Sequence, residues 1–387
     1  MSSRLATREA LFDVMEQIAE ERIAARPIVQ ELLTRGDDVW DEEIPESWRT
    51  AGFVQELTAA GAAILETDPS RCLNFTQLAL AVASSIPRET YPSPVPAFIE
   101  GRAWKEIATA HRYLDKYEAA LRAFDAVLRA LARECALVHE TARGHFGRAT
   151  VSILSHHDKD AGELLDRAEK LFQSYGDDKF VAHCEIAKAF ITYRKGDLQA
   201  ALAKQLEILK RFDDIDDLYT NAVLYNNLGH LYTLLGNTED AVIALQRARE
   251  IYTALAMPSE IDRADWGLAR TLLASGQFEE ALALLYQLRH AYLSRRMPDD
   301  AGLIGLHIVD ALVALGRREE ALRLTERVLT EFVNANLNHD AITALAYLRD
   351  LLPASSKPRH LVNHVRSYFE RLRKEPARLF IPLDPEE

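Results

Sequence analysis

An all-α solenoid of antiparallel helix pairs is the fold class this sequence predicts, on three observations. Ala, Leu, Glu and Arg dominate, and the Val/Ile/Thr alternation that marks strands is missing. Six alanines, Ala120, Ala161, Ala201, Ala241, Ala281 and Ala321, recur at an interval of 41 and then of 40 residues. Five positions before each stands a turn residue: Asp115, His156, Gly196, Gly236, Gly276 and Gly316. A fixed period of this length is the mark of stacked supersecondary units. Glycine closes a helix where the backbone needs positive φ, and Asp and His tolerate that conformation better than most residues. Each unit therefore reads as helix, tight turn, helix, and the recurring alanine keeps the side chain small where two backbones approach.

The elements follow in order. Residues 1–99 do not keep the period. They predict helices near 5–34, 46–65 and 69–86 and are expected to form an N-terminal helical region that extends the solenoid, with the proline-rich stretch 87–96 as a connector. Residues 100–336 hold six units. Polar, helix-breaking segments separate them, and two Met-Pro pairs, at Met257 and Met297, stand one period apart. Proline and aspartate there are helix-start residues. Residues 337–387 predict a further helix and then an amphipathic basic one with Leu361, Val365, Tyr368 and Leu372 on one face, a capping element with one polar side. The tail ARLFIPLDPEE has an apolar middle suited to packing back.

Charge and motifs exclude several functions. A net charge of −13 disfavours nucleic acid as a partner. The three cysteines, Cys72, Cys135 and Cys184, are widely spaced without metal-ligand spacing and read as free buried thiols in a reducing compartment. No apolar leader or 18-residue apolar run occurs, so no membrane association and a cytoplasmic location are expected. His156, His157, Asp158 and Asp160 lie at a turn, and His360 and His364 have no evident third ligand, so neither group is read as a metal site. No nucleophile elbow, zinc-protease, P-loop or dinucleotide motif is present. The chain is not expected to be an enzyme or to carry a cofactor.

The units resemble tetratricopeptide repeats. One carries Tyr225, Leu228, Gly229, Tyr232, Gly236, Ala241, Leu245 and Ala248; another carries Trp104, Ile107, Ala108, Tyr117, Ala120 and Phe124. HEAT repeats share the period, but the small residues and glycine turns fit the tetratricopeptide pattern better. The family's common unit has about 34 residues. The longer unit here is similar to those of bacterial MalT-type activators and Rap-type regulators. Arg148 departs from the pattern, standing where leucine is usual. The resemblance implies a right-handed superhelix whose first helices line a concave groove.

It also implies which positions face that groove. The Trp104 unit gives Arg102, Lys105 and Arg112; the next units give Arg143, Phe146, His183, Phe190 and Tyr193. The Tyr225 unit gives Asn226, Asn227 and His230, where an amide such as that of Asn227 can bond an extended peptide's backbone. The unit after it gives Arg263, Trp266 and Arg270, and the last full unit gives His307 and Asp310. Cations interleaved with aromatics suit an acidic peptide or partner segment. The expected function is a non-catalytic protein-interaction scaffold; the alternative is a ligand-gated regulator whose superhelix changes on binding. The acidic segment 36–47 around Trp40 is a candidate intramolecular occupant of the groove.

Overall fold

The computed structural model describes residues 8–35, 43–132, 134–212, 217–295, 297–335, 337–372 and 378–383. Among them are seventeen α-helices and no strand. Most of the candidate occupant segment, 36–42, lies outside the described residues. The chain divides into two compact units, Met1–Lys195 and Gly196–Glu387.

The first unit holds α1 (Arg8–Thr34), α2 (Ala51–Ile64), α3 (Pro69–Ser85), α4 (Val95–Tyr113), α5 (Tyr117–Leu131), α6 (Val138–Leu154), α7 (Asp158–Tyr175) and α8 (Asp178–Arg194). Each packs on the next. The second predicted helix starts later than its sequence suggests. Pro45 is followed by a 3-10 turn at Glu46–Trp48, the Trp48 ring stacks on Phe53 at 4.8 Å, and Thr50 caps α2 by accepting from the Phe53 N–H at 3.2 Å. A second cap comes from far away in sequence. The Ala51 N–H donates to the Tyr91 hydroxyl and the Gly52 N–H to Glu21 Oε2, both at 2.9 Å, while Tyr91 donates to Glu21 at 2.7 Å. The first two orphan donors of α2 are thus satisfied by α1 and by the proline-rich connector. Gly52 is required by this approach, because a Cβ there would lie 2.3 Å from Glu21 Cβ and 2.5 Å from the Arg22 nitrogen.

Arg148 is held by an ion pair to the preceding helix. Its Nε donates to Asp125 Oδ1 of α5 at 2.7 Å. One period on, Lys188 of α8 repeats the arrangement with Asp166 at 2.5 Å and Glu169 at 2.6 Å, both on α7. In the second unit the same position holds buried Leu228, Leu268 and Ile308.

The second unit holds α9 (Leu198–Phe212), α10 (Leu218–Leu235), α11 (Thr238–Ala254), α12 (Pro258–Ala274), α13 (Phe278–Ser294), α14 (Pro298–Ala314), α15 (Arg318–Asn334), α16 (His339–Leu351) and α17 (Pro358–Leu372). One cluster of its core runs from Ala269 to Phe380 and another from Ala222 to Ala264. Pro258 and Pro298 open α12 and α14. Helix α14 is buried from Asp300 to Val313, which follows from apolar side chains around its whole circumference. Helix α17 lies along it and buries Leu361, Val365 and Tyr368. The tail packs back through Phe380, whose ring sits 5.1 Å from Tyr368, 5.3 Å from Tyr347 and 5.6 Å from His364.

The repeat positions obey one geometry. The six turn residues take positive φ, from +55° at Asp115 to +90° at Gly196, and the six alanines are fully buried. At Gly236 the amide bonds the Thr233 carbonyl and Asn237 bonds that of Tyr232, the pattern that ends a helix in the left-handed region. The three cysteines are free, but only Cys72 and Cys184 are buried; Cys135 is exposed, because it lies in a 3-10 turn between helices.

Candidate functional site

In the first unit three of the four Lys and Arg side chains expected from sequence line one cavity of about 130 Å³. Phe98, Arg102 and Lys105 of α4 line it on one side, Glu140 and Arg143 of α6 on the other, and Val127 and Leu131 of α5 form its floor. Arg102 and Lys105 are one helical turn apart and so share a face. Arg102 is exposed and makes no ion pair among the described residues. Lys105 bonds Glu106 at 2.8 Å, and Arg143 reaches Glu140 at 3.4 Å with its guanidinium 5.4 Å from the Phe180 ring centre. Arg112 lies outside this group, with its guanidinium 4.7 Å from the Tyr113 ring centre.

Beyond the cavity the same helices turn aromatic. Phe146 of α6 stacks on His183 of α8 at 6.0 Å, and Phe190 and Tyr193 meet at 5.4 Å. Phe190 is 38% exposed. Behind this face His139 bonds Asp177 at 2.8 Å, and Asp177 also caps α8. Burial opposes ionisation of Asp177, but these hydrogen bonds outweigh it and lower its pKa.

In the second unit the two adjacent asparagines separate. Asn227 is partly exposed, whereas Asn226 is only 5% exposed and its Oδ1 has no partner among the described residues. Consecutive residues on a helix sit about 100° apart, so one can face outward while the other is pressed against a neighbour. The expectation that both face the groove is corrected for Asn226. His230 lies against Gly267, where an added Cβ would come within 3.1 Å of its Cε1. Burial, then Arg270 and Arg263, push His230 down to about 4. Thr233 bonds Thr271 of α12 at 2.6 Å.

On α12, Arg263 pairs with Glu260 of its own helix at 2.8 Å. Trp266 packs edge-on against Tyr292 at 6.0 Å and His307 at 6.4 Å, and its buried Nε1 has no partner among the described residues. Arg270 is exposed and makes no ion pair among the described residues. His307 and Asp310 do not face open space. Both are buried because α17 covers them: Asp310 accepts from Arg359 at 3.0 Å and from Arg366 at 3.2 Å. His307 is pushed down to about 3 by burial, then by Arg366 and Arg270. The positive excess is accordingly narrower than the sequence implies. Lys105, Arg143 and Arg263 have carboxylate neighbours on their own helices, while Arg102 and Arg270 are left unpaired among the described residues. The cavity floor and Glu140 had no sequence signal, since they depend on how α4, α5 and α6 pack.

Among the described residues no group of three or more His, Cys, Asp or Glu side chains could hold a metal ion, and no helix is long and apolar enough to cross a membrane.

A tetratricopeptide repeat family model matches residues 180–254 and 220–294. No curated protein matches the chain. Among the solved structures that share its fold are three determined with a bound partner. NprR in complex with its cognate peptide NprX is 12% identical, with a TM-score of 0.59, covering 96% of this chain and 100% of that one. The Rap conjugation gene regulator of plasmid pLS20, in complex with the Phr* peptide, is 11% identical with a TM-score of 0.57, covering 95% and 99%. A Rap protein complexed with Competence and Sporulation Factor is 14% identical with a TM-score of 0.56, covering 92% and 99%. The chain is therefore all-α and solenoid in fold over more than nine-tenths of its length, and residues 180–294 match the tetratricopeptide repeat model.

Proposed function

We propose that the chain is a non-catalytic scaffold that binds an extended, acidic peptide or partner segment on the exposed faces of its first helices. The observation that carries this reading is the cavity between α4 and α6, where three cations surround an apolar floor and one of them, Arg102, has no carboxylate partner among the described residues. Arginine holds a carboxylate through two parallel hydrogen bonds, and such a pair strengthens where apolar walls exclude water. Arg270 offers a second guanidinium without an ion pair among the described residues in the other unit, on α12, which packs against α10, the helix of Asn227, whose amide can both donate to and accept from a peptide bond. The likeness to structures solved with the peptides NprX and Phr* supports a peptide as the ligand.

Fluorescence anisotropy with a labelled acidic twelve-residue peptide tests this. The wild-type chain is expected to bind it and to leave a glutamine-substituted copy unbound. R102E and R270E should each weaken binding about tenfold, as expected for loss of one charge-assisted pair. Equal affinity for both peptides would overturn the acidic-ligand reading.

A gated form of this reading, in which binding shifts the stacking of the helices, draws support from the ion pairs at Arg148 and Lys188. These occupy a position that holds leucine or isoleucine in the second unit. A peptide-dependent change in small-angle scattering would support gating, and identical curves with and without peptide would remove it.

A further inference from the structure

The first unit carries two surfaces of different chemistry on α4, α6 and α8. Around the cavity stand Arg102 and Lys105, midway along α4, and Arg143, in the first half of α6. Near the end of α8 stand Phe190 and Tyr193, whose rings meet at 5.4 Å, with Phe190 38% exposed. Phe146 of α6 and His183 of α8 stack at 6.0 Å.

Resting on the peptide-binding reading above, we infer that this face reads a two-point signature: a carboxylate side chain seated at the cavity, and a large apolar or aromatic side chain on Phe190 and Tyr193 about five residues away along an extended chain. The chemistry of each point follows from its residues. An exposed guanidinium that makes no ion pair among the described residues, flanked by two further cations against the single carboxylate of Glu140, favours an anion, and the apolar floor of Val127 and Leu131 accepts the aliphatic stem of a glutamate. An exposed aromatic pair offers a large, stiff contact area for another ring. The spacing follows from helix dimensions. The cations precede the aromatics by about seven to eight residues of helix, or about 11 Å along the axis, and neighbouring helix axes lie about 10 Å apart. The two points are then about 18 Å from each other, which about five residues of extended chain span. A helical ligand would cover only about 8 Å over the same five residues and would miss the second point.

The test uses the full chain and a set of labelled twelve-residue Gly/Ser/Thr peptides, each with one Glu and one Phe, at separations from two to nine in both orders. Separation five is expected to bind at least tenfold tighter than separations two and nine. R102Q should erase the advantage of Glu over Gln while keeping that of Phe over Ala. The F190A/Y193A pair should do the reverse. Both variants change exposed or partly exposed side chains, and circular dichroism checks their fold. Binding that depends on Glu but ignores separation and the F190A/Y193A change would overturn this inference and leave the peptide reading standing. Failure of the whole set to bind, together with failure of acidic peptides without Phe, would overturn both.

Discussion

Ala256 shows how single residues carry the architecture. It takes φ +53° in the turn before α12, while Gly176, two periods earlier, fills the equivalent slot at +68°. A Cβ in the left-handed region costs about 1 kcal/mol, so A256G should stabilise the chain by about 0.5–1 kcal/mol, and G236A, at φ +80°, should destabilise it by at least that much. Chemical denaturation measures both. His230 and His307 set a pH dependence of defined sign. Their folded pKa values, about 4 and about 3, lie below the ordinary 6.5. The unfolded chain therefore binds more protons as pH falls below 6.5, and the stability that these neutral rings contribute is lost between that pH and their folded values. The slope is on the order of 1 kcal/mol per pH unit for each ring. The H230Q/H307Q double variant should lose stability less steeply from pH 6.5 to 4 than the parent; parallel curves would show that other groups dominate.

At the scale of elements, the repeat's turns and buried alanines were legible because each is a local demand on one residue type: positive φ in one case, a small side chain in the other. Contacts between distant residues were not legible. Nothing in the spacing of Glu21, Gly52 and Tyr91 announces that they join to cap α2. Nor does the run around Asp310 reveal that Arg359 and Arg366 of α17 close over it. Sequence reading placed both Asn226 and Asn227 on the open face, yet the neighbouring packing buries one of them. Two outcomes follow. D310A would leave two arginines against a buried gap, so α17 should exchange its amide hydrogens at least tenfold faster while α4–α6 keep their protection. R148L should be neutral or stabilising by up to about 1 kcal/mol, because leucine suits that position and Asp125 can turn to water. A loss of several kcal/mol would show that the ion pair is required.

For the whole molecule, the period decides the fold and the fold decides where a ligand can go. Forty-residue units stack because no single pair buries its apolar side alone. That logic is readable from sequence, and the likeness to Rap and NprR structures at 14% identity or less shows how little else it needs. The net charge of −13 says little about any one face: among the described residues Arg102 and Arg270, both on first helices, are exposed and make no ion pair. The most direct test of the central claim, that first helices hold the ligand, is photo-crosslinking with an acidic peptide bearing a carbene precursor, mapped by mass spectrometry. Crosslinks are expected on α4, α6 and α8 and on α10 and α12, near Arg102, Arg143, Asn227 and Arg270. Crosslinks confined to the second helices α5, α7, α11 and α13 would contradict it.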